Sequence, residues 1–191
     1  MKEITILFLT ILGVIGSVSI YNKNKNVTVL KSTNDNRKYR LLDLPGKEKC
    51  MEILVQLNKN VIQLLSYVKN EEREGIQDLL DNYRPDSLCE NLENRSLQAY
   101  SLNKGEEICL CLREPENELE IIDDMNTLMF VLVHELSHLM TDDIGHTNKF
   151  WNNMAYLLKK ANEINLYTPI NYSVTPVMYC GVKIDETPYI F

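Results

Sequence analysis

From Ile4 to Tyr21 apolar residues follow one another without a charge, "ITILFLTILGVIGSVSIY", a run of 18 residues. As a helix rising 1.5 Å per residue it would reach roughly 27 Å, close to the hydrocarbon thickness of a bilayer. It offers no polar face beyond Thr, Ser and Gly, so the pattern predicts an N-terminal transmembrane helix over residues 1–21. Ser17 and Ser19 leave a cleaved signal segment as the alternative. The length of the run and its weakly basic leader, Lys2 beside Glu3, favour a retained anchor. Residues 22–36, "NKNKNVTVLKSTNDN", are polar and aperiodic, the pattern of a tether.

Beyond residue 37 the spacing becomes that of a folded domain, expected to run to residue 191. "RKYRLLDLP" reads as a short extended entry stopped by Pro45 and Gly46. Met51, Leu54, Leu57, Val61, Leu65 and Val68 recur at three and four, which predicts a long amphipathic helix ending near Asn70. A second helix is expected over "REGIQDLLDNYR", closed by Pro85, and a turn of helix in "PDSLCENL". "SLQAYSLNKGEEICLCLR" alternates around Asn103-Lys104-Gly105, a hairpin signature, and leads into an acidic loop, "EPENELEIIDD". "NTLMFVLV" is apolar nearly all round, so the helix it opens should be buried, capped by Asp124 or Asn126. A last helix, Asn148 to Ile164, carries Phe150, Trp151, Met154, Leu157 and Leu158 on one stripe. The tail, with Pro169, Pro176 and Pro188, is expected to wrap in extended or turn conformations.

Charge adds an orientation and an exclusion. The net charge of -7 lacks the clustered Lys and Arg of a broad nucleic-acid footprint. Lys23, Lys25, Lys31, Arg37, Lys38 and Arg40 follow the apolar run, so the positive-inside rule puts the domain in the cytosol, on a host or virion membrane. Sequons at Asn26, Asn94 and Asn171 would matter only for the opposite topology. The five cysteines, Cys50, Cys89, Cys109, Cys111 and Cys180, have no paired zinc-knuckle spacing and read as reduced thiols, with Cys109 and Cys111 on one strand face. No pattern speaks to oligomeric state.

Chemistry concentrates in one place. The chain has three histidines, and all fall within "HELSHLMTDDIGH", as His134, His138 and His146. Residues four apart on a helix share a face, so His134 and His138 can present two imidazoles to one ion. Gly145 would let the chain turn back to deliver His146. Three neutral nitrogens with an open fourth position suit catalytic Zn2+, although spacing alone leaves cobalt, manganese and iron open. A structural zinc would more often recruit Cys and close the fourth position. Glu135 is then the candidate catalytic base, and Asp142 or Asp143 could support a ligand imidazole or be solvated loop acids. Tyr167, Tyr172 and Tyr179 are candidates for oxyanion stabilisation, and "ICLCLR" for edge pairing with an extended substrate.

"ICLCLR", "HELSH" and "GHTNKFW" together resemble the WLM and SprT-like zinc metallopeptidases, and residues 37–191 resemble short single-domain members found in large DNA viruses. The resemblance implies an α+β, zincin-like domain with a small antiparallel sheet packed on helices. It carries His134, His138 and His146 over as zinc ligands, Glu135 as general base, and Phe150 and Trp151 as the aromatic pair anchoring the next helix. The connection "LMTDDIG" is longer than in many WLM relatives. Relatives include proteases acting on proteins crosslinked to DNA, a role this acidic chain shows no tail or patch for. The expected function is membrane-anchored, zinc-dependent hydrolysis of protein or peptide substrates. A catalytically idle zinc-binding interaction module and a hydrolase of non-peptide amides are the alternatives.

Overall fold

The computed structural model describes residues 27–92 and 99–189. Its longest element, α1 (Lys47–Val68), buries Ile53, Leu54, Leu57, Val61, Leu64 and Val68, the stripe that the three-and-four spacing foreshadows. Ahead of it, β1 (Val27–Lys31) and β2 (Lys38–Leu42) pair antiparallel, Val27 facing Leu42 and Lys31 facing Lys38. β1 therefore lies in the stretch expected as tether, where "VTVLK" gains order from β2. α2 (Ile76–Asn82) leads through a 3-10 turn, Pro85–Ser87, the short turn of helix expected there, into β3 (Leu88–Glu90).

The central sheet also holds β4 (Ala99–Leu102) and β5 (Glu107–Leu110), in the order β3-β5-β4. β5 runs antiparallel to β4, with Asn103, Lys104 and Gly105 all at positive φ in the turn, and parallel to β3. The small sheet is thus mixed rather than antiparallel, because the segment after the 3-10 turn returns alongside β5 from a distance. The acidic segment forms a hairpin of β6 (Arg113–Glu114) and β7 (Asn117–Ile121). Beneath it, Arg113 Nε donates to Glu90 Oε1 at 2.8 Å, both side chains buried. Glu90 Oε2 accepts from the Leu42 amide at 2.8 Å, and Arg113 Nη1 donates to the carbonyls of Pro45 and Glu118. One buried ion pair so ties β2, β3, β6 and β7.

α3 (Met125–Leu139) crosses the core, buried on almost every side. Asp124 caps it, accepting from the amides of Asn126 and Thr127. α4 (Asn148–Glu163) packs against it with Phe150, Met154, Leu157 and Leu158 fully buried. β8 (Val177–Tyr179) and β9 (Val182–Ile184) make a hairpin within the tail expected in extended or turn conformations.

Two sequence expectations are corrected. Among the described residues no helix is long and apolar enough to cross a membrane, and the run at residues 4–21 lies outside them. The described fold is accordingly α+β, with no membrane-spanning helix among the described residues, and the membrane localisation inferred from that run is withdrawn. The cysteines also differ from the reduced thiols expected: Cys89 bridges Cys109 and Cys111 bridges Cys180, leaving Cys50 as the free thiol. Their pairing is non-local. It depends on β3 lying in register with β5, Cys89 opposite Cys109, and on the tail folding back.

Candidate functional site

His134 and His138 lie one turn apart on α3, half-buried, while the exposed His146 returns from the loop before α4. One ring nitrogen from each falls within 4.8 Å of the other two, and Nε2 of His146 sits 3.0 Å from Nε2 of His134. The ring centroids are 4.7 to 5.1 Å apart. Phe150 forms their floor, with its ring 4.9, 4.4 and 4.7 Å from those of His134, His138 and His146. Trp151 flanks His146 at 5.5 Å. The aromatic pair thus shapes the site itself, beyond the helix-anchoring role expected of it.

The loop carrying His146 is held from below. Ser137 Oγ donates to the Val133 carbonyl and Thr141 Oγ1 to the Ser137 carbonyl, both at 2.7 Å, extending the end of α3. Asn153 of α4 donates to the Met140 carbonyl and to Thr141 Oγ1. Asp143 accepts from Thr147, whose hydroxyl caps α4 by accepting from the Phe150 amide. Asp142 pairs with Lys104 at 3.1 Å, across the cleft mouth. Both aspartates are exposed, and these are the partners the structure gives them.

Burial sets the electrostatics. It depresses His134 to about 3, with the His138 and His146 charges adding to the effect, and it lowers His138 in the same way. Both imidazoles are therefore neutral at ordinary pH, with lone pairs free to ligate. Glu135, only 5% exposed, is raised to about 7 by burial, while a hydrogen bond with Ser101 of β4 works in the opposite direction. A cleft of about 470 Å³ opens over these groups, lined by Ala99, Tyr100 and Ser101 of β4, by Glu135, and by the loop from Thr141 to His146.

Other expected participants lie elsewhere. Tyr167 and Tyr172 are buried against Phe130, and Tyr179 donates its hydroxyl to the Cys111 carbonyl at 2.9 Å. None lines the cleft, whose wall carries Tyr100 instead. Its place on a short strand beside the site has no signature in sequence. The strand of "ICLCLR", β5, is central and paired on both sides, so β4 is the edge that faces the cleft. Cys89, Glu107 and Cys109 also converge, but the sulfurs are bridged and Arg40 pairs with Glu107 while approaching them at 3.5 and 3.8 Å. A cation there would meet a guanidinium.

The three-histidine cluster fits zinc: three imidazole nitrogens converge, no fourth protein ligand joins them among the described residues, and the open side faces a cleft. Residues 27–175 match a family model described as the WLM domain. An uncharacterized protein of Acanthamoeba polyphaga mimivirus is 30% identical over 186 residues, covering 94% of this chain and 93% of its own length. An uncharacterized protein of Invertebrate iridescent virus 6 is 34% identical over 70 residues, 37% of this chain and 39% of its own. The crystal structure of Wss1 from Saccharomyces cerevisiae superimposes with a TM-score of 0.51 at 23% identity, over 63% of this chain and 83% of that one, a likeness of fold.

Proposed function

The chain belongs to the WLM domain family, which is of zinc metalloprotease type, and from that premise we propose that it hydrolyses peptide bonds at a zinc ion held by His134, His138 and His146, with Glu135 as general base. The observation that carries this reading is the convergence of the three imidazoles beside one buried carboxyl at the floor of an open cleft. When bound, zinc supplies a Lewis acid that polarises an amide carbonyl and makes a neighbouring water easier to deprotonate.

The protein's own groups do the rest. Depressed basicity keeps His134 and His138 in the neutral form that ligates. Glu135, with a pKa raised to about 7, can both take a proton from water and release it to a departing amine near neutral pH. Ser101 holds that carboxyl from β4, so the strand at the cleft and the base are joined. β4 pairs only with β5 among the described strands, which leaves its other edge able to accept an extended peptide by strand addition. The substrate is then an unfolded or extended segment of protein.

Replacing the base separates catalysis from metal binding. Glu135→Gln should retain zinc and lose on the order of 10²–10⁴ in the rate of cleaving an unfolded protein, the usual worth of a positioned general base. A variant that holds zinc and cleaves as fast as the parent would remove Glu135 from the mechanism. Zinc-loaded parent protein that never cleaves peptides would turn the reading toward another amide or a non-catalytic role.

A further inference from the structure

The family match ends at residue 175, and beyond it lies the β8–β9 hairpin, fastened back onto the end of β5. Its turn is Cys180-Gly181, with φ +49° and +76°. A two-residue hairpin turn with both central residues left-handed favours Asn, Asp or Gly, and glycine fills the second place. A cysteine in the first is disfavoured by its Cβ. What its sulfur does accounts for the residue: it reaches Cys111, just past the end of β5, and bridges to it.

Around that bridge, Val177 and Ile184 pack partly buried against the core. Tyr179, 2% exposed, donates its hydroxyl to the Cys111 carbonyl and lies close enough to Glu135 to feel its charge. The turn rests on Pro115, where a Cβ on Gly181 would meet the proline ring at 3.6 Å. Outward, Met178 and Val182 are 62% and 45% exposed and bury little. Three-residue strands held by one anchored tyrosine and two partly buried side chains gain order from a covalent fastening.

The two bridges also differ in access. Cys89 and Cys109 are 3% and 0% exposed, face each other across paired strands, and are overlaid by Arg40. Cys180 is 3% exposed as well, but Cys111 is half-buried and sits at the sheet's end. We propose that Cys111–Cys180 is a thiol–disulfide exchange site for small thiols, and that opening it unlatches the hairpin from the wall behind Glu135.

The exchange balances with two equivalents of a thiol. The first, as thiolate, attacks the Cys111 sulfur; the S–S bond breaks, and Cys180 leaves as a thiolate that takes a proton from solvent. A second thiolate displaces Cys111 from the mixed disulfide, giving two protein thiols and one small-molecule disulfide. Tyr179 and the turn are then held by hydrogen bonding and packing alone. Loss of catalysis on opening rests on the proposed role of Glu135, whereas the exchange and the unlatching do not.

The test equilibrates the full-length protein in graded mixtures of reduced and oxidised glutathione. Thiols are trapped with iodoacetamide and located by peptide mass, and hydrogen exchange of residues 177–184 is read in the same samples. Cys111 and Cys180 should become labelled at a glutathione ratio roughly tenfold less reducing than Cys89 and Cys109. Exchange over the hairpin should rise about tenfold in step, with α1 still protected, and peptide cleavage should fall. A Cys111→Ser/Cys180→Ser protein should show the fast hairpin exchange at every ratio. Opening of Cys89–Cys109 first or together with it, or hairpin exchange unchanged once Cys111–Cys180 is open, overturns the proposal. If the parent never cleaves peptides, the labelling and exchange results still decide it, and the proposed function fails separately.

Discussion

Phe150 stands under all three imidazoles, fully buried, with each ring within 5 Å of its own. Cutting it to alanine removes both core volume and the floor of the site. Phe150→Ala should cost about 3–5 kcal/mol of stability and loosen zinc, while Phe150→Leu restores most of the stability without the aromatic floor. Urea melts and zinc competition with a chelator read the two effects apart, and unchanged zinc affinity in both variants would return Phe150 to a purely packing role.

Cys50 makes a second case at this scale. It is fully buried, and burial, with the Glu90 charge, raises its thiol from 9.0 to about 12. Between those values the unfolded chain gives up the proton while the folded chain keeps it. Its contribution to stability is therefore complete below pH 9 and declines as the pH rises toward 12. Cys50 should resist iodoacetamide at pH 8.5 in the native protein and react once urea unfolds it. Native labelling at the unfolded rate would contradict its burial. The convergence of the three histidines was legible in the sequence because their spacing is local, but the aromatic floor was not, since it needs the crossing of α4 beneath α3.

Among the elements, the join between α2 and the end of α3 is the tightest. Gly75 sits at φ +85°, and a Cβ there would lie 2.2 Å from the Met140 carbonyl oxygen. Both the backbone region and the space require glycine, and Met140 opens the loop that delivers His146. Gly75→Ala should lose about 2–4 kcal/mol of stability, in the range of backbone strain added to a steric clash. Thermal melting checks it, and a melting temperature within a degree of the parent would show that the approach is looser than described.

Legibility divides along the same line. α1 and α4 are long and periodic, so hydrophobic spacing predicted them nearly to their ends, and α3 was legible as an unbroken apolar run behind a capping residue. β3 and β6, of three and two residues, carry too little pattern to read. They exist because a partner strand and the Glu90–Arg113 pair hold them. The same non-local pairing hid both disulfides and made β4, rather than β5, the edge strand.

For the molecule as a whole, the WLM match covers residues 27–175, beginning at β1 and stopping short of the stapled hairpin. The N-terminal apolar run that dominated the sequence pattern lies outside the described residues. The domain's function turns on its centre, where α3, the loop after it and α4 bring together every histidine in the chain. The most direct test is the zinc content of the purified protein beside His146→Ala, after equal exposure to a mild chelator. One zinc per chain in the parent and a marked loss in His146→Ala is the expected result. Equal zinc in the two proteins, or none in either after zinc is supplied, would contradict the three-histidine centre.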